Sequence, residues 1–435
     1  MRDAPLDWRT SPVRRAPHEK MLPLLRMAVA AAPDRPDLKV KLALALFKTD
    51  RMTELVDWLR PAAADEDADP ELLMCLGEAA IAIRDHQLAL TALRSAAAKE
   101  FTPAFGRIAE TLARLGRPDE ALEIGLEALA RLPTDSKAFA IVARVLLDRA
   151  EAERLWALCS DIRARGAWRG YIPSAMALAA ATAADRDEVA ALVDPARWFS
   201  ATRLAVPEGF NDRLAAELLK HPFMRPVPRT RATIGDTNWI LQLQLAGGPL
   251  AQELLVKLRE AVASYISERQ AFLDHPFIAR RPSSVDLNSW GLAVHDDGCQ
   301  TWHLHDGWLT GVYYVKMPGV EPYRDGHPGA GAIEFGLYPF GRQAETLRSP
   351  RWRVMPEPGL LLLCPSYFAH RTWPTGVGEP RVCVAFDVKP SETMAQGHAV
   401  TTAIDEVISR RRTTVEINYG VAPIDEPRAD RAAGN

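Results

Sequence analysis

Trp302-His303-Leu304-His305-Asp306, running into Gly307-Trp308-Leu309-Thr310-Gly311-Val312-Tyr313-Tyr314-Val315, decides the fold of the C-terminal half. The second stretch reads as a strand, because it concentrates β-branched and aromatic residues after a glycine. On an extended backbone alternate side chains share a face. His303 and His305 therefore point the same way and Asp306 the other. Thr310, Val312 and Tyr314 share one face of the following strand, and Tyr313 turns to the opposite one. His370 follows His303 by 67 residues, and Arg381 opens an apolar strand 11 residues after that. A lone histidine is usually structural or exposed. Three at this spacing, answered by an arginine, read as metal ligands with a nearby anchor for an acid.

The surrounding texture is that of a β-domain. Short apolar runs broken by Gly, Pro and Asp occupy Val285–Val294, Gly311–Met317, Ala332–Leu337, Gly359–Leu363 and Arg381–Val388. Asp296-Asp297-Gly298 reads as a hairpin turn. Ahead of these runs, Leu254, Leu255, Leu258, Val262, Tyr265 and Ile266 recur at helical spacing. They predict one amphipathic helix over about Pro249 to Gln270 that backs the sheet.

The first half has a different period. Ala89 and Ala121, and Ala96 and Ala128, are each 32 residues apart, and Pro36, Pro70 and Pro103 follow at 34 and 33. These intervals match a two-helix repeat of about 34 residues, with small residues where paired helices touch. Gly116-Arg117-Pro118-Asp119-Glu120 is a helix stop, a turn and a helix start. The periodicity predicts an α-solenoid of four or five hairpins over residues 20–195. It offers either a concave face for a peptide or partner protein, or a passive platform. A boundary falls near Pro195 to Pro207, where the alanine periodicity ends. The β-domain is expected over 205–395 and a charged, partly disordered extension over 396–435. Within the extension, Val407 to Val415 is ambiguous between helix and strand.

Composition bounds the rest. The chain has 435 residues, 48% hydrophobic and 25% charged, with a net charge of −3. That is enough for two or three domains with ample core. The acidic balance argues against general nucleic-acid or anionic-membrane binding, and Arg410-Arg411-Arg412 reads as a solvated helix end. No apolar run is long enough to span a membrane, and Met1 to Asp7 carries no apolar leader. Five scattered cysteines, Cys75, Cys159, Cys299, Cys364 and Cys383, contain no C-x-x-C pair and read as reduced thiols of a cytoplasmic protein. Oligomeric state has no signature here.

Asn288-Ser289-Trp290, His303 to Val315, Pro358-Gly359, Pro365-Ser366, His370 and Arg381 together resemble the 2-oxoglutarate/Fe(II)-dependent oxygenases. The resemblance is to the bacterial members that carry tetratricopeptide-like helical repeats before the oxygenase domain, and it covers roughly residues 280–390. It implies a double-stranded β-helix (jelly-roll) binding Fe(II), with 2-oxoglutarate and O2 as cosubstrates. It further implies hydroxylation of a C–H bond in a small molecule, or in a protein or peptide side chain brought by the repeats. Most of the family has two His and one carboxylate on the metal. Here the position of that carboxylate is His305. Either His303, His305 and His370 bind the iron, or Asp306 turns inward and His305 does something else. The resemblance assigns Arg381 to the distal carboxylate of 2-oxoglutarate, which its planar fork suits. It adds the Tyr314 hydroxyl to that contact, with Thr310 and Val312 on the same cavity wall. Asn288, Trp290 and Trp308 either line the pocket or pack in the core, and Ser366-Tyr367 shape the turn before His370. His18, His86, His221, His275, His295, His327 and His398 are given no role. Two other classes compete: a catalytically silent helical-repeat adaptor, and a three-His cupin-type dioxygenase that does not use 2-oxoglutarate. A missing ligand or arginine would mark the first. Stoichiometric succinate release excludes both.

Overall fold

In a computed structural model of the chain, the described residues are 6–9, 18–166, 171–182, 194–227, 233–269, 276–279, 281–305, 307–319, 329–338, 340 and 351–391. The expectations for 396–435 lie outside them.

Pro36, Pro70 and Pro103 each open a helix, at the one place where a missing amide proton costs nothing. Ten helices occupy the first half among the described residues. They are α1 His18–Ala31, α2 Pro36–Lys48, α3 Met52–Leu59, α4 Pro70–Ala82, α5 His86–Ala98, α6 Pro103–Arg114, α7 Pro118–Arg131, α8 Ser136–Asp148, α9 Ala152–Ala164 and α10 Tyr171–Thr182. Asp69, Asp85 and Asp135 accept backbone N–H groups at the starts of α4, α5 and α8, as N-caps do. Each helix packs on the next, and α2 with α4, α6 with α8 and α8 with α10 also touch, so hairpins stack in sequence order. Ala89 and Ala121 each sit fourth in the second helix of a hairpin, α5 and α7, and both are fully buried. The repeat spacing is thus the spacing of equivalent helices. Gly77 lets Leu93 close down on α4, since a Cβ there would lie 2.6 Å from the leucine side chain. A buried ion network ties hairpin to hairpin. Arg107 on α6 reaches Glu78 on α4 and, at 3.0 Å, Glu110, which also takes Arg114 at 2.8 Å.

The second half is built on strands β1 Asp7–Arg9, β2 Ser200–Arg203, β3 Arg225–Pro226, β4 Thr233–Ile234, β5 Thr237–Leu241, β6 Ser284–Val294, β7 Cys299–Gln300, β8 Leu309–Lys316, β9 Ile333–Gly336, β10 Trp352–Val354, β11 Leu360–Pro365, β12 Ala369–Thr372 and β13 Arg381–Pro390. The major sheet runs β2-β11-β8-β13-β6-β5-β3, with β1 added parallel to β6. The minor sheet is β10-β9-β12, antiparallel throughout, and β4-β7 form a short ribbon. This is the double-stranded β-helix expected of the pattern, a sandwich whose inner faces enclose the cavity. The helix Pro249–Glu268 backs it, burying Leu254, Leu255, Leu258, Val262, Tyr265 and Ile266 as the spacing predicts.

Two expectations are corrected. The sheet recruits β1 and β2 from outside the span 205–395. Ser200–Arg203 pairs with Leu360–Leu363, because an extended segment leaving the helices meets the otherwise open edge of β11. Asp296-Asp297-Gly298 does turn, with Gly298 N donating to His295 O at 2.7 Å, but it is not a hairpin. The chain crosses to the other layer there, and β7 pairs with β4 instead of folding back on β6. The α10 helix docks on the sandwich through Ser174, whose hydroxyl donates to the Tyr367 carbonyl just ahead of β12.

Candidate metal centre

His303 and His370 face each other across an isolated antiparallel bridge. Each backbone N–H donates to the other's carbonyl at 3.0 Å. Directly opposed residues project to one side, so this single pair brings together two imidazoles that are 67 residues apart in sequence. Their ring centroids lie 4.2 Å apart. His305, two residues beyond His303, projects to the same side, with its ring 5.3 Å from His303 and 4.9 Å from His370. Each ring offers a nitrogen, and these nitrogens lie within 4.8 Å of one another in a buried cluster. Asp306 lies outside the described residues.

The hydrogen bonds around the rings decide which nitrogens are free. His303 Nδ1 lies 2.7 Å from the Thr301 carbonyl, which can only accept, so Nδ1 carries the proton. His305 Nδ1 lies 2.8 Å from Oδ1 of Asp387. Burial works against the charged form of Asp387, yet His305 and Thr310 beside it hold its carboxyl below the usual range. It is an acceptor too, and Nδ1 of His305 is again the donor. The Nε2 atoms of both rings are buried and have no hydrogen-bond partner among the described residues. Burial, followed by the neighbouring imidazole His305, pushes His303 down to about 3, and burial and both neighbours put His370 well below its ordinary value. Buried ring nitrogens that converge without partners are costly unless a cation joins them. A divalent metal with imidazole affinity fits this donor set.

Arg381, at the start of β13, faces the same cavity, which is also lined by Trp290, Thr310, Tyr314, Phe335 and His370. It is 2% exposed. Its guanidinium touches the Gly331 and Trp373 carbonyls at 3.4 Å and Thr372 Oγ1 at 3.3 Å, all longer than the ordinary N–H···O range. No acid pairs with it among the described residues. Tyr314 and Arg381 both line this cavity. Burial raises the phenol's pKa, and Arg381 offsets part of that rise. Every cavity-side residue the alternation singled out on β8, namely Thr310, Val312 and Tyr314, is on this wall. Tyr313 points away and donates to Asn211 Oδ1 at 2.7 Å.

Other expectations divide. Trp290 lines the cavity and stacks on His305 at 5.5 Å and 16°. Trp308 does not line it: its ring stacks on Phe277 at 4.6 Å, and Nε1 donates to the Phe277 carbonyl at 3.0 Å, on the outer side of the sheet. Asn288, opposite Asp387 in the β6–β13 pairing, is not among the wall residues. Thr310 lines the wall, but its hydroxyl has Asp387 Oδ1 at 2.9 Å and the Phe386 carbonyl at 3.2 Å as acceptors, so its one proton is already taken within the protein. Ser366 and Tyr367 form the turn before β12. Asp387 itself is the residue that reading the sequence missed. It is the sole carboxylate in the apolar run of β13 and, six residues from Arg381, shares its face, which was the available signal.

Residues 288–387 match the family model described as "Putative 2OG-Fe(II) oxygenase". No curated protein matches the chain by sequence. Among solved structures, the chain is similar to a Pseudomonas putida prolyl-4-hydroxylase at 15% identity, over 45% of this chain and 95% of that one, with a TM-score of 0.32. It is similar at 15% identity to HygX from Streptomyces hygroscopicus with nickel, 2-oxoglutarate and hygromycin B bound, over 46% of this chain and 86% of that one, at TM-score 0.33. The epimerase SnoN from nogalamycin biosynthesis matches at 15% identity over 45% of this chain and 78% of its own, at TM-score 0.34.

Proposed function

We propose that this chain is a 2-oxoglutarate/Fe(II)-dependent oxygenase, as the family match over residues 288–387 supports, and that it hydroxylates a C–H bond of a protein or peptide side chain recruited by the helical stack. The observation that carries the site assignment is a buried three-imidazole cluster, two of whose members, His305 and His370, line one cavity with a buried arginine that has no acid partner among the described residues. His303, His305 and His370 would hold the Fe(II). Arg381, with Tyr314 on the same cavity wall, would take the distal carboxylate of 2-oxoglutarate, filling with a charged acceptor the donors that now meet two carbonyls and the Thr372 hydroxyl at 3.3–3.4 Å. Bound iron and O2 supply the oxidising power, with 2-oxoglutarate leaving as succinate and carbon dioxide. The chain's own residues position and seal. Leu292, Val294, Leu362 and Phe335 line the rest of the cavity and keep water from the reacting centre.

The substrate class rests on the helical half. Stacked hairpins present a long surface suited to an extended segment. Ser174 fastens α10 to the Tyr367 carbonyl, three residues before His370, so a segment lying on the stack is held at fixed distance from the centre. The test is anaerobic Fe(II) loading, then aerobic turnover with 2-oxoglutarate and peptides from a lysate. Succinate released in step with a +16 Da product peptide supports the reading. Peptide-independent succinate release that a small-molecule fraction stimulates instead would overturn the peptide assignment.

A further inference from the structure

We infer that Asp387 is the positioning residue of the metal centre: it supplies, one hydrogen bond behind His305, the carboxylate that the His303-x-His305 pair does not supply directly. The inference deepens the proposed function and rests on its reading of the three histidines as ligands.

His305 is held on two sides. Trp290 stacks flat against the ring, and Asp387 Oδ1 receives its Nδ1 proton at 2.8 Å. The same oxygen receives the Thr310 hydroxyl at 2.9 Å. Asp387 is only 3% exposed. Oδ1 thus meets the imidazole N–H and the shorter of the two contacts open to the Thr310 hydroxyl, whose other acceptor is the Phe386 carbonyl at 3.2 Å, and it holds the ring from behind. The approach is built into the backbone. Gly307 follows the ligand pair, and a Cβ there would lie 3.2 Å from Asp387 Cβ and 2.9 Å from Ser366 Oγ, so a side chain at 307 would lift the ligand loop off the carboxylate. His303 has only a neutral carbonyl, Thr301 O, behind its Nδ1. Of the three rings, His305 is the one whose Nδ1 proton is given to a charged acceptor.

A carboxylate behind a ligating imidazole locks the Nδ1–H tautomer, aims Nε2 and makes the ring a stronger donor, and losing such a partner typically weakens metal binding about 10–100-fold. Asp387→Asn keeps the shape but removes the charge, and its amide can present N–H to Nδ1, which favours the wrong tautomer.

Co(II) alone, titrated into the full-length protein and read by its visible absorption, tests this without turnover. Wild type should bind. Asp387→Asn should bind about 10–100-fold more weakly, with the far-ultraviolet circular dichroism of the apoprotein unchanged, and Asp387→Glu should recover part of the loss. If Asp387→Asn fails to fold, the ¹⁵N shifts of His305 in the wild-type apoprotein decide alone. An Nδ1–H tautomer supports the inference, and an Nε2–H tautomer overturns it. Equal Co(II) affinity for wild type and Asp387→Asn also overturns it and leaves the ligand assignment standing. Wild type that binds no Co(II) would overturn the ligand assignment as well.

Discussion

Arg381→Met separates the cost of a buried charge from its use. The arginine is 2% exposed, and its contacts, two carbonyls at 3.4 Å and a hydroxyl at 3.3 Å, are too long to satisfy a five-donor guanidinium. Without a ligand this cation is poorly compensated, and a methionine of similar length should leave the apoprotein as stable or slightly more so. With 2-oxoglutarate bound the balance reverses. Truncating one partner of a buried hydrogen-bonded charge pair costs about 2–5 kcal/mol, which at 1.4 kcal/mol per decade is roughly 30-fold to several thousandfold. Succinate formation against 2-oxoglutarate concentration should therefore show KM raised at least about 30-fold. Co(II) affinity should hold, because the arginine bonds to none of the three imidazoles in the structure. Arg381→Lys should recover only part, since an ammonium cannot make the fork. The reasoning is refuted if Arg381→Met turns over 2-oxoglutarate with unchanged concentration dependence, or if its apoprotein loses several kcal/mol in urea.

The pH dependence of apoprotein stability has a defined sign. Burial depresses His303 from 6.5 to about 3. The unfolded chain therefore binds a proton that the folded one refuses, and stability falls as pH drops from about 6.5 towards 3, by up to about 1.4 kcal/mol per pH unit for this group. Urea unfolding at several pH values measures the slope, and saturating Co(II) should delay the loss to lower pH. Arg107→Leu removes a cation shared by the buried carboxylates Glu78 and Glu110 and should cost about 3–5 kcal/mol; a loss under 1 kcal/mol in the same assay would mean that the network carries little. Ala150 adopts φ 59° in the turn after α8, a conformation that costs an L-residue about 1–2 kcal/mol, so Ala150→Gly should stabilise by about 0.5–1 kcal/mol after its extra unfolded-state entropy. A lower thermal midpoint for that variant would contradict the turn geometry.

That last substitution shows where the sequence was legible and where it was not. The hairpin turns after α2, α4, α6 and α8 all place one residue at positive φ, Asp50, Arg84, Gly116 and Ala150 in turn. Only Gly116 announces itself, because only there does the residue type match the backbone; elsewhere packing between helices overrides local preference. The prolines at helix starts and the buried alanines were readable since each answers a local steric demand that recurs at the repeat interval. Strand alternation likewise placed Thr310, Val312 and Tyr314 on the cavity wall before any coordinates did. It could not reveal that β2 closes the edge of β11 or that β7 leaves β6, because pairing partners are set by which edges lie open in three dimensions. Asp387 was hidden for the same reason. Its strand and face were predictable, but its partner His305 is 82 residues away. Nothing in the local pattern states that β13 and the ligand loop meet.

The His305-for-carboxylate exchange becomes intelligible once Asp387 and Arg381 are weighed together. A buried cavity tolerates little net charge, since each uncompensated unit costs several kcal/mol even after relaxation. Imidazoles that ligate a metal do so as neutral rings and add none. Asp387, behind the wall, contributes one negative charge and Arg381, on it, one positive, so the two formal charges sum to zero although the groups do not pair. A divalent iron and a doubly charged dicarboxylate arrive as a second balanced pair. Had the position of His305 held a ligating carboxylate with Asp387 retained, the loaded site would carry one negative charge in excess. Moving the carboxylate one hydrogen bond outward keeps its influence on the ligand and places it where Thr310, and Lys389 at 4.0 Å, help to hold it ionised. On this argument Asp387 and the neutral third ligand are one arrangement. A variant restoring a ligating carboxylate, His305→Asp, should take up Co(II) together with 2-oxoglutarate only when Asp387→Asn removes the surplus charge, and a His305→Asp single variant that binds the metal and the dicarboxylate together as well as the double variant would break the argument.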